Sequence, residues 1–140
     1  MTATPSPSAS VQPLDPVWDA VRAGAREIAR SEPALAGMIH ATVLNHPSFE
    51  SALAHRLAER LDHSDVSADL IRQAFHDMLA SRPEIGEAAR ADLAATLERD
   101  PACHRAIEPL LFFKGYQAIQ THRFAHALLA TGRRDLALYL

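Results

Sequence analysis

Residues 99–123 read RDPACHRAIEPLLFFKGYQAIQTHR, and they join an aspartate at a predicted helix start to a long apolar helix. Asp100 followed by Pro101 is typical of an N-cap and of the first helical position. We expect Pro109 to end that short helix and to begin the longest one, from Leu110 to Ala130, with Gly132 as its left-handed C-cap. By itself, this stretch indicates a packed helical domain.

The composition of the whole chain favours one helical domain. Its 140 residues are enough to bury a compact core. Hydrophobic residues make up 48% of the chain, and these are mostly Ala and Leu, with few aromatic or β-branched residues, which favours packed helices over sheet. We therefore expect an all-α bundle of about seven to eight helices over residues 14–140. Residues 1–13, rich in Thr, Ser and Pro, are predicted to be a disordered tail.

Charge and cysteine content exclude several classes of function. The 14 Lys and Arg residues are outnumbered by 17 Asp and Glu residues and are scattered without a cluster, which does not favour nucleic-acid binding. The single cysteine, Cys103, cannot form an intramolecular disulfide, and this fits a reducing cytoplasm. No apolar stretch approaches the roughly 20 residues of a membrane span, and the N-terminus lacks the features of a signal peptide. We predict a cytoplasmic protein that binds neither nucleic acid nor membrane.

Helix boundaries are marked along most of the chain. The predicted N-caps are Asp15, Ser31, Ser48 and Ser67. They open helices that begin near Pro16, Glu32, Phe49 and Ala68, and a fifth helix is predicted from Glu84 to Glu98. Residues 62–66 are predicted to be a loop. Residues 133–140 begin another amphipathic helix that stops without a polar end, so we expect the chain to be cut short.

The predicted core follows the helical spacing of apolar residues. Trp18 belongs to a stripe on the first helix, and the other helices contribute Leu35, Ile39, Val43, Leu44, Leu53, Leu57, Leu61, Leu70, Ile71, Ala74, Phe75, Met78 and Leu79.

Two histidines give the best case for a metal site. His122 and His126 lie four residues apart, on one face of the predicted long helix. The zinc hydrolase version of this spacing has Glu after the first His, whereas Arg123 follows it here, and no third ligand can be nominated. We expect two ordinary helix histidines and no bound metal.

Most residues that could act as a nucleophile, an acid or a base are weak candidates for a functional role, and Asp100 is the exception. Cys103 is predicted in the first turn of a helix, where the helix dipole would lower its pKa, but its neighbour His104 points away from it. The carboxylates of Glu84, Glu87, Asp92 and Glu98 are predicted to form a solvated helix face. Asp100 is predicted to be held rigid and kept ionised at a helix start, where it could receive an ammonium or hydroxyl group, although capping alone also accounts for it.

Short motifs in order along the chain carry a family resemblance. They are Pro16-Val17-Trp18, Glu32-Pro33-Ala34-Leu35, His40-Ala41-Thr42 with Leu44, Arg99-Asp100-Pro101-Ala102, Pro109-Leu110-Leu111, Lys114-Gly115-Tyr116, Ala118, Gln120, His122-Arg123, His126 and Gly132-Arg133-Arg134. Together they make residues 15–140 similar to the N-terminal helical domain of bacterial serine O-acetyltransferase, of the hexapeptide-repeat acyltransferase family. The sequence departs from that family at Gln117, where His is frequent, and at Ala127 and Leu129, where aromatic residues are common. We expect these to be packing or interface changes.

The resemblance implies an activity that composition does not show. Family members transfer an acetyl group from acetyl-CoA to the hydroxyl of L-serine, giving O-acetyl-L-serine for cysteine biosynthesis. A C-terminal left-handed β-helix forms trimers and holds both the acetyl-CoA site and the catalytic histidine, and helical domains join two trimers into a hexamer. Asp100 matches the family's serine-site aspartate, which also contacts the feedback inhibitor L-cysteine. A C-terminal tail of the full enzyme can bind cysteine synthase.

The sequence therefore predicts the helical domain of a serine O-acetyltransferase. Asp100 is its one predicted substrate-binding residue, no catalytic residue or cofactor is expected in this chain, and the chain alone is predicted to be inactive. One alternative is a non-catalytic helical assembly or interaction module in which Asp100 is only a cap. A second is a metal-binding helical bundle that uses His122 and His126.

Overall fold

The computed structural model describes residues 13–140, so residues 1–12 of the predicted disordered tail lie outside it. The α-helices are α1 (Pro16–Ser31), α2 (Ala36–Ile39), α3 (Phe49–Arg60), α4 (Ala68–Ser81), α5 (Glu84–Arg99), α6 (Ile107–Phe112), α7 (Lys114–Ala130) and α8 (Arg134–Tyr139). A 3₁₀ turn (Pro33–Leu35) precedes α2, and a π-helical turn (His40–Leu44) continues it. Residues 13–140 contain no strand, which confirms the all-α prediction. None of these helices combines the length and the apolar character needed to cross a bilayer.

The first helix begins and packs as predicted. The Oδ1 atom of Asp15 accepts the backbone N–H of Trp18 at 3.0 Å, and Trp18 is buried. Gly24 faces α6 at a point of close approach, because a Cβ atom there would lie 2.8 Å from Cγ2 of Ile107. The absence of a side chain at Gly24 thus allows α1 to pack against α6.

The segment after α1 differs from the prediction. Ser31 is the last residue of α1 and not an N-cap, since its hydroxyl donates back to the carbonyl oxygen of Ile28 at 3.4 Å. Leu35, predicted to be buried, is 36% exposed, whereas Ile39 and Val43 are fully buried. The 3₁₀ and π-helical turns change the number of residues per turn, so a spacing of 3.6 residues does not describe this segment.

The caps of α3 and α4 and the loop between them are confirmed. The hydroxyl of Ser48 accepts the N–H of Ser51 at 3.2 Å, and the hydroxyl of Ser67 accepts the N–H of Leu70 at 3.4 Å. Leu70 itself is 50% exposed and not in the core. The buried face of α4 follows Ile71, Ala74, Phe75 and Met78, and the ring of Phe75 stacks on that of Phe124 at 4.2 Å.

The start of the long C-terminal helix is shifted from its predicted position. Pro109 lies in the first turn of α6, where a missing N–H breaks no helical hydrogen bond. The helices separate instead at Phe113, whose φ of −88° and ψ of 100° are extended. The prediction that Pro109 separates them is therefore wrong.

Two side chains bind the carbonyl groups that this break leaves free. The guanidinium group of Arg56 donates to the carbonyl oxygen of Leu111 at 2.5 Å. The side-chain amide of Gln117 donates to the carbonyl oxygen of Leu110 at 2.8 Å, and Gln117 is buried. Gln117 therefore stabilises the junction of α6 and α7, which gives a physical reason for one departure from the family pattern.

Gly132 ends α7 as predicted. Its φ of +85° is left-handed, and the N–H of Arg133 donates to the carbonyl oxygen of Leu128 at 2.9 Å. This is the hydrogen bond of a Schellman motif. The chain turns back there, and α8 packs against α7.

Arg90 joins three helices through ion pairs. Its Nε and one terminal nitrogen donate to the two carboxylate oxygens of Glu50 at 2.7 and 3.0 Å. The other terminal nitrogen donates to Asp15, the N-cap of α1, and the guanidinium group lies 5.1 Å from the centre of the Phe49 ring. The side chain of Arg90 thus links α5 to the first residues of α1 and α3.

Candidate functional site

An open cleft of about 680 Å³ lies between the C-terminal part of α5 and the N-terminal part of α7. Its lining residues are Asp92, Ala95, Thr96, Arg99, Asp100, Phe113, Lys114, Gly115, Tyr116, Ile119 and Arg123. The volume falls within the range of small-molecule sites, which is roughly 300–1,000 Å³. Asp100, the predicted substrate-binding residue, is exposed at this cleft.

The local structure at Asp100 differs from the prediction. No helix begins there, because residues 101–106 form turns and irregular structure and Asp100 is the C-cap of α5. Its Oδ1 atom accepts the N–H of Ala102 at 2.9 Å, and its carbonyl oxygen accepts the N–H of Cys103 at 3.0 Å. The predicted stabilisation by a helix N-terminus is therefore wrong, since the C-terminal end of α5 carries the negative pole of the helix dipole. The hydrogen bond to Ala102 still fixes the direction of the carboxylate.

A second carboxylate lies at the side of the cleft. The Oδ2 atom of Asp92 accepts hydrogen bonds from the side chains of Gln120 and Arg123, both at 2.8 Å. Burial raises the pKa of Asp92, but the hydrogen bonds from Gln120 and Arg123 outweigh burial and hold it below the ordinary value. Asp92 is half-buried between α5 and α7, so the prediction that it belongs to a solvated face is wrong.

Positive groups also line the cleft, and one of them, Arg123, is already paired with Asp92 at 2.8 Å. Arg99 ends α5, Lys114 begins α7, and Arg123 lies about two and a half turns further along α7. The first backbone N–H groups of α7 have no acceptor within the helix, and its N-terminus carries a partial positive charge. The cleft can therefore bind a small polar molecule that carries both an ammonium and a carboxylate group.

The two hydroxyl groups that line the cleft are already engaged, since the hydroxyl of Thr96 donates to the carbonyl oxygen of Asp92 at 2.7 Å. The hydroxyl of Tyr116 donates to the carbonyl oxygen of Ala89 at 2.7 Å, and burial raises the pKa of Tyr116 well above its usual range. The described residues that line the cleft include no imidazole and no thiol. The chemistry that their charges support is binding and orientation of a ligand.

Cys103 lies beside the cleft in a setting unlike the predicted one. It belongs to the turn after Asp100, is buried, and donates its Sγ–H to the carbonyl oxygen of Arg105 at 3.6 Å. Burial raises the pKa of Cys103, and the negative charges of Glu108 and Asp100 raise it further. The prediction that a helix dipole lowers this pKa is wrong, and the thiol is a poor nucleophile.

The two candidate metal ligands are surface residues of α7. His122 and His126 are exposed and border a second depression, with a volume of about 500 Å³, next to Arg82 and Glu84. Within residues 13–140, no three His, Cys, Asp or Glu side chains are close enough to hold a metal ion together. The structure therefore adds no third ligand from these residues.

Sequence inspection missed most of the residues that surround Asp100. Asp92, Thr96 and Arg99 are spaced by four and three residues, which places them on the face of α5 that leads to Asp100. Tyr116, Ile119 and Arg123 show the same spacing on α7. These signals are present in the sequence, but only the packing of α5 on α7 shows that the two faces meet.

Comparisons with known proteins agree on one family. Residues 17–121 match the family described as serine acetyltransferase, N-terminal. The chain is 47% identical over 137 residues to probable serine acetyltransferase 3 of Oryza sativa subsp. japonica, and this covers 97% of the chain and 46% of that protein. It is 40% identical over 131 residues to the serine acetyltransferase of Escherichia coli strain K12, and this covers 94% of the chain and 48% of that protein.

Solved structures give the same result. The crystal structure of serine acetyltransferase from Brucella abortus strain S19 in complex with coenzyme A has a TM-score of 0.89 and 49% identity, with 94% of this chain and 52% of that chain covered. A serine acetyltransferase in complex with cysteine has a TM-score of 0.86 and 38% identity, with 88% of this chain and 51% of that chain covered. The chain spans about half the length of the relatives that it matches.

Proposed function

Because the chain belongs to the serine acetyltransferase family, we propose that it is the helical part of an enzyme that acetylates L-serine with acetyl-CoA. The match to the N-terminal family domain, together with relatives solved with coenzyme A and with cysteine, supports this proposal. The product is O-acetyl-L-serine, for cysteine biosynthesis. The cytoplasmic location predicted from the sequence belongs to the same proposal.

Asp100 binds the ammonium group of L-serine in this proposal. The observation that carries it is an exposed carboxylate, oriented by the N–H of Ala102, at a cleft of small-molecule size. A fixed carboxylate is suited to a charge-assisted hydrogen bond with an ammonium group. Asp100 thereby orients the serine hydroxyl but does not deprotonate it. The inhibitor L-cysteine has the same ammonium group and uses the same contact.

The isolated chain is inactive in this proposal. The resemblance places the general base, the arginine for the substrate carboxylate and the acetyl-CoA pocket in a β-helical domain, and the matches leave about half of each relative uncovered. An acetyl-transfer assay on residues 1–140 should give no turnover above the uncatalysed rate. Robust turnover would show that this chain contains its own base and acetyl-CoA site.

The role of Asp100 is tested by Asp100→Asn in an enzyme that joins this domain to its β-helix. Asn keeps an oxygen that can accept the N–H of Ala102, so the turn should persist. Loss of one charge-assisted contact, roughly 1.5–3 kcal/mol, should raise the KM for L-serine about tenfold or more and weaken inhibition by L-cysteine similarly. The KM for acetyl-CoA should not change.

A matched control is Asp19→Asn, which removes a negative charge from the exposed first turn of α1. It should leave both KM values within about twofold. If Asp100→Asn behaves like Asp19→Asn, with unchanged serine kinetics and unchanged cysteine inhibition, Asp100 is only a turn residue. The alternative function, a helical assembly module without a substrate contact, would then be favoured.

Self-association through this domain is the second part of the proposal. Large apolar side chains are exposed on the last helices, including Ile119 (54%), Leu129 (48%), Leu138 (65%) and Tyr139 (48%). Apolar surface of this kind is frequent at interfaces between proteins. Light scattering after gel filtration should show an oligomer of the joined enzyme, and a monomer at every concentration would contradict this part. A complex with cysteine synthase, through a tail outside the matched region, stays a prediction of the resemblance.

A further inference from the structure

A separate groove, which shares no lining residue with the cleft at Asp100, is lined by positive side chains. It has a volume of about 460 Å³ and lies between α1 and the π-helical turn after α2. Three arginines of α1, namely Arg22, Arg26 and Arg30, line it together with His40 and Asn45. They recur at every fourth residue, which places them in one row along the helix. The interpretation of Lys and Arg as scattered along the sequence is therefore wrong for this surface.

These arginines have no partner of opposite charge in the described part of the chain. No carboxylate of residues 13–140 lies within 4.0 Å of any of the three guanidinium groups. Glu27, on the same helix, pairs with Arg105 at 3.6 Å instead. Like charges four residues apart repel each other on a helix. The row thus brings together three positive charges without a carboxylate partner among residues 13–140, in a chain whose net charge is −3. Of the three, only Arg22 donates a hydrogen bond within residues 13–140, to the carbonyl oxygen of His46 at 3.5 Å.

The N-terminal residues 1–12 cannot supply the missing charge. Their sequence, MTATPSPSASVQ, contains neither Asp nor Glu. A carboxylate or phosphate within 4.0 Å of these guanidinium groups would therefore come from outside residues 1–140.

We propose that this groove binds a small ligand with at least two phosphate groups. Guanidinium groups match the geometry of phosphate oxygens in pairs, and a phosphate carries more charge than a carboxylate. The row from Arg22 to Arg30 extends about 12 Å at 1.5 Å per residue, which exceeds the reach of a single phosphate. The volume is that of a small-molecule site, not of an extended protein interface. The groove shares no lining residue with the cleft at Asp100, so this site adds to the proposed acetyl transfer.

Inorganic triphosphate is the probe for this site. Calorimetric titration of the 140-residue chain, in buffer with about 0.15 M salt, should show saturable binding. Arg26→Gln should weaken it about tenfold, because a charge-assisted contact is worth roughly 1.5–3 kcal/mol. Arg26 is exposed, so circular dichroism should show an unchanged fold. Arg134→Gln, which removes an exposed arginine at the start of α8, is the matched control and should change the affinity less than twofold.

Three results would overturn the proposal. One is the absence of saturable binding. Another is an equal loss of affinity in Arg26→Gln and Arg134→Gln, which would indicate general charge attraction without a site. The third is tighter binding of an acidic peptide than of triphosphate. If a ten-residue glutamate peptide displaces triphosphate with a Kd below that of triphosphate, the groove is a surface for an acidic protein segment.

Discussion

Replacement of Arg90 tests how the first, third and fifth helices are held together. Arg90→Ala removes the hydrogen bonds to both oxygens of Glu50, the contact with Asp15 and the packing on the ring of Phe49. The carboxylates of Asp15 and Glu50 would then lose their charged partner where α1 and α3 begin. We expect the helices to form but to pack less stably.

The size of the effect follows from the exposure of the three side chains. A hydrogen bond to a charged group is worth roughly 1.5–3 kcal/mol, and Arg90 makes several. The side chains are 23% (Arg90), 33% (Asp15) and 30% (Glu50) exposed, so solvent screens part of this energy. We expect a loss of about 2–3 kcal/mol in the free energy of unfolding and a fall in Tm of about 6–12 °C.

Urea unfolding followed by circular dichroism measures this loss. Arg90→Lys keeps the charge but not the planar fork, so it should lose only about 1 kcal/mol. Arg134→Ala is the surface control and should change stability by less than about 0.5 kcal/mol. If Arg90→Ala unfolds at the same urea concentration as Arg134→Ala, the ion pairs contribute nothing to stability and the reasoning is wrong.

The pH dependence of the same variant gives a second test. The hydrogen bond from Arg90 lowers the pKa of Asp15 more than any other contact does. An unfolded aspartate has a pKa of about 3.9, so the stabilisation is complete above that pH and is lost as pH falls through the lower folded value. The difference in stability between the unmodified chain and Arg90→Ala should therefore be constant from pH 5 to pH 8 and shrink below pH 4.

Three further predictions concern backbone packing and the thiol. Gly24→Ala should cost about 1–3 kcal/mol because its Cβ would lie 2.8 Å from Ile107 Cγ2. A Cβ atom added at Gly37 would have no other atom within 4 Å, so Gly37→Ala should be neutral or stabilising. Equal urea midpoints for Gly24→Ala and Gly37→Ala would contradict this difference. Gly132→Ala should cost about 1–2 kcal/mol because the φ angle there is +85°, and Gly132→Asn should cost less. An unchanged urea midpoint for Gly132→Ala would show that this backbone conformation does not strain alanine. Cys103 should react with a disulfide reagent at pH 8 more slowly than the same thiol in urea, because burial and nearby carboxylates raise its pKa, and equal rates would contradict that burial.

The sequence predicts those boundaries whose hydrogen bonds are local. The side chains of Asp15, Ser48 and Ser67 each accept an N–H three residues further on. At the end of α7, the N–H groups of Gly132 and Arg133 donate to the carbonyl oxygens of Leu129 and Leu128. Residue spacing predicts these hydrogen bonds because the donor and the acceptor lie near each other in the sequence. These boundaries are therefore confirmed.

The surroundings of Asp100 depend on contacts between residues that are far apart in the sequence, and residue spacing does not predict such contacts. Asp92 is bound by Gln120 and Arg123, which are 28 and 31 residues away in the sequence. The residues after Pro101 form turns and bury Cys103, so core packing overrides the local signal for a helix. For this reason, the prediction of a solvated face is wrong at Asp92, although Glu84, Glu87 and Glu98 are exposed as predicted, and the predicted short helix after Asp100 is wrong.

The two Asp-Pro pairs of the chain show why only one of them is proposed to bind a ligand. At the first, the Oδ1 atom of Asp15 accepts both the N–H of Trp18 and the guanidinium group of Arg90, so the charge of that carboxylate is already compensated. At the second, the side chain of Asp100 accepts one hydrogen bond from residues 13–140, from the backbone N–H of Ala102, and is exposed at the cleft. A carboxylate with spare acceptor capacity and no bound cation can still receive an ammonium group, whereas Asp15 would have to release Arg90 first. The same dipeptide thus has a structural role at the start of α1 and is available to a ligand after α5.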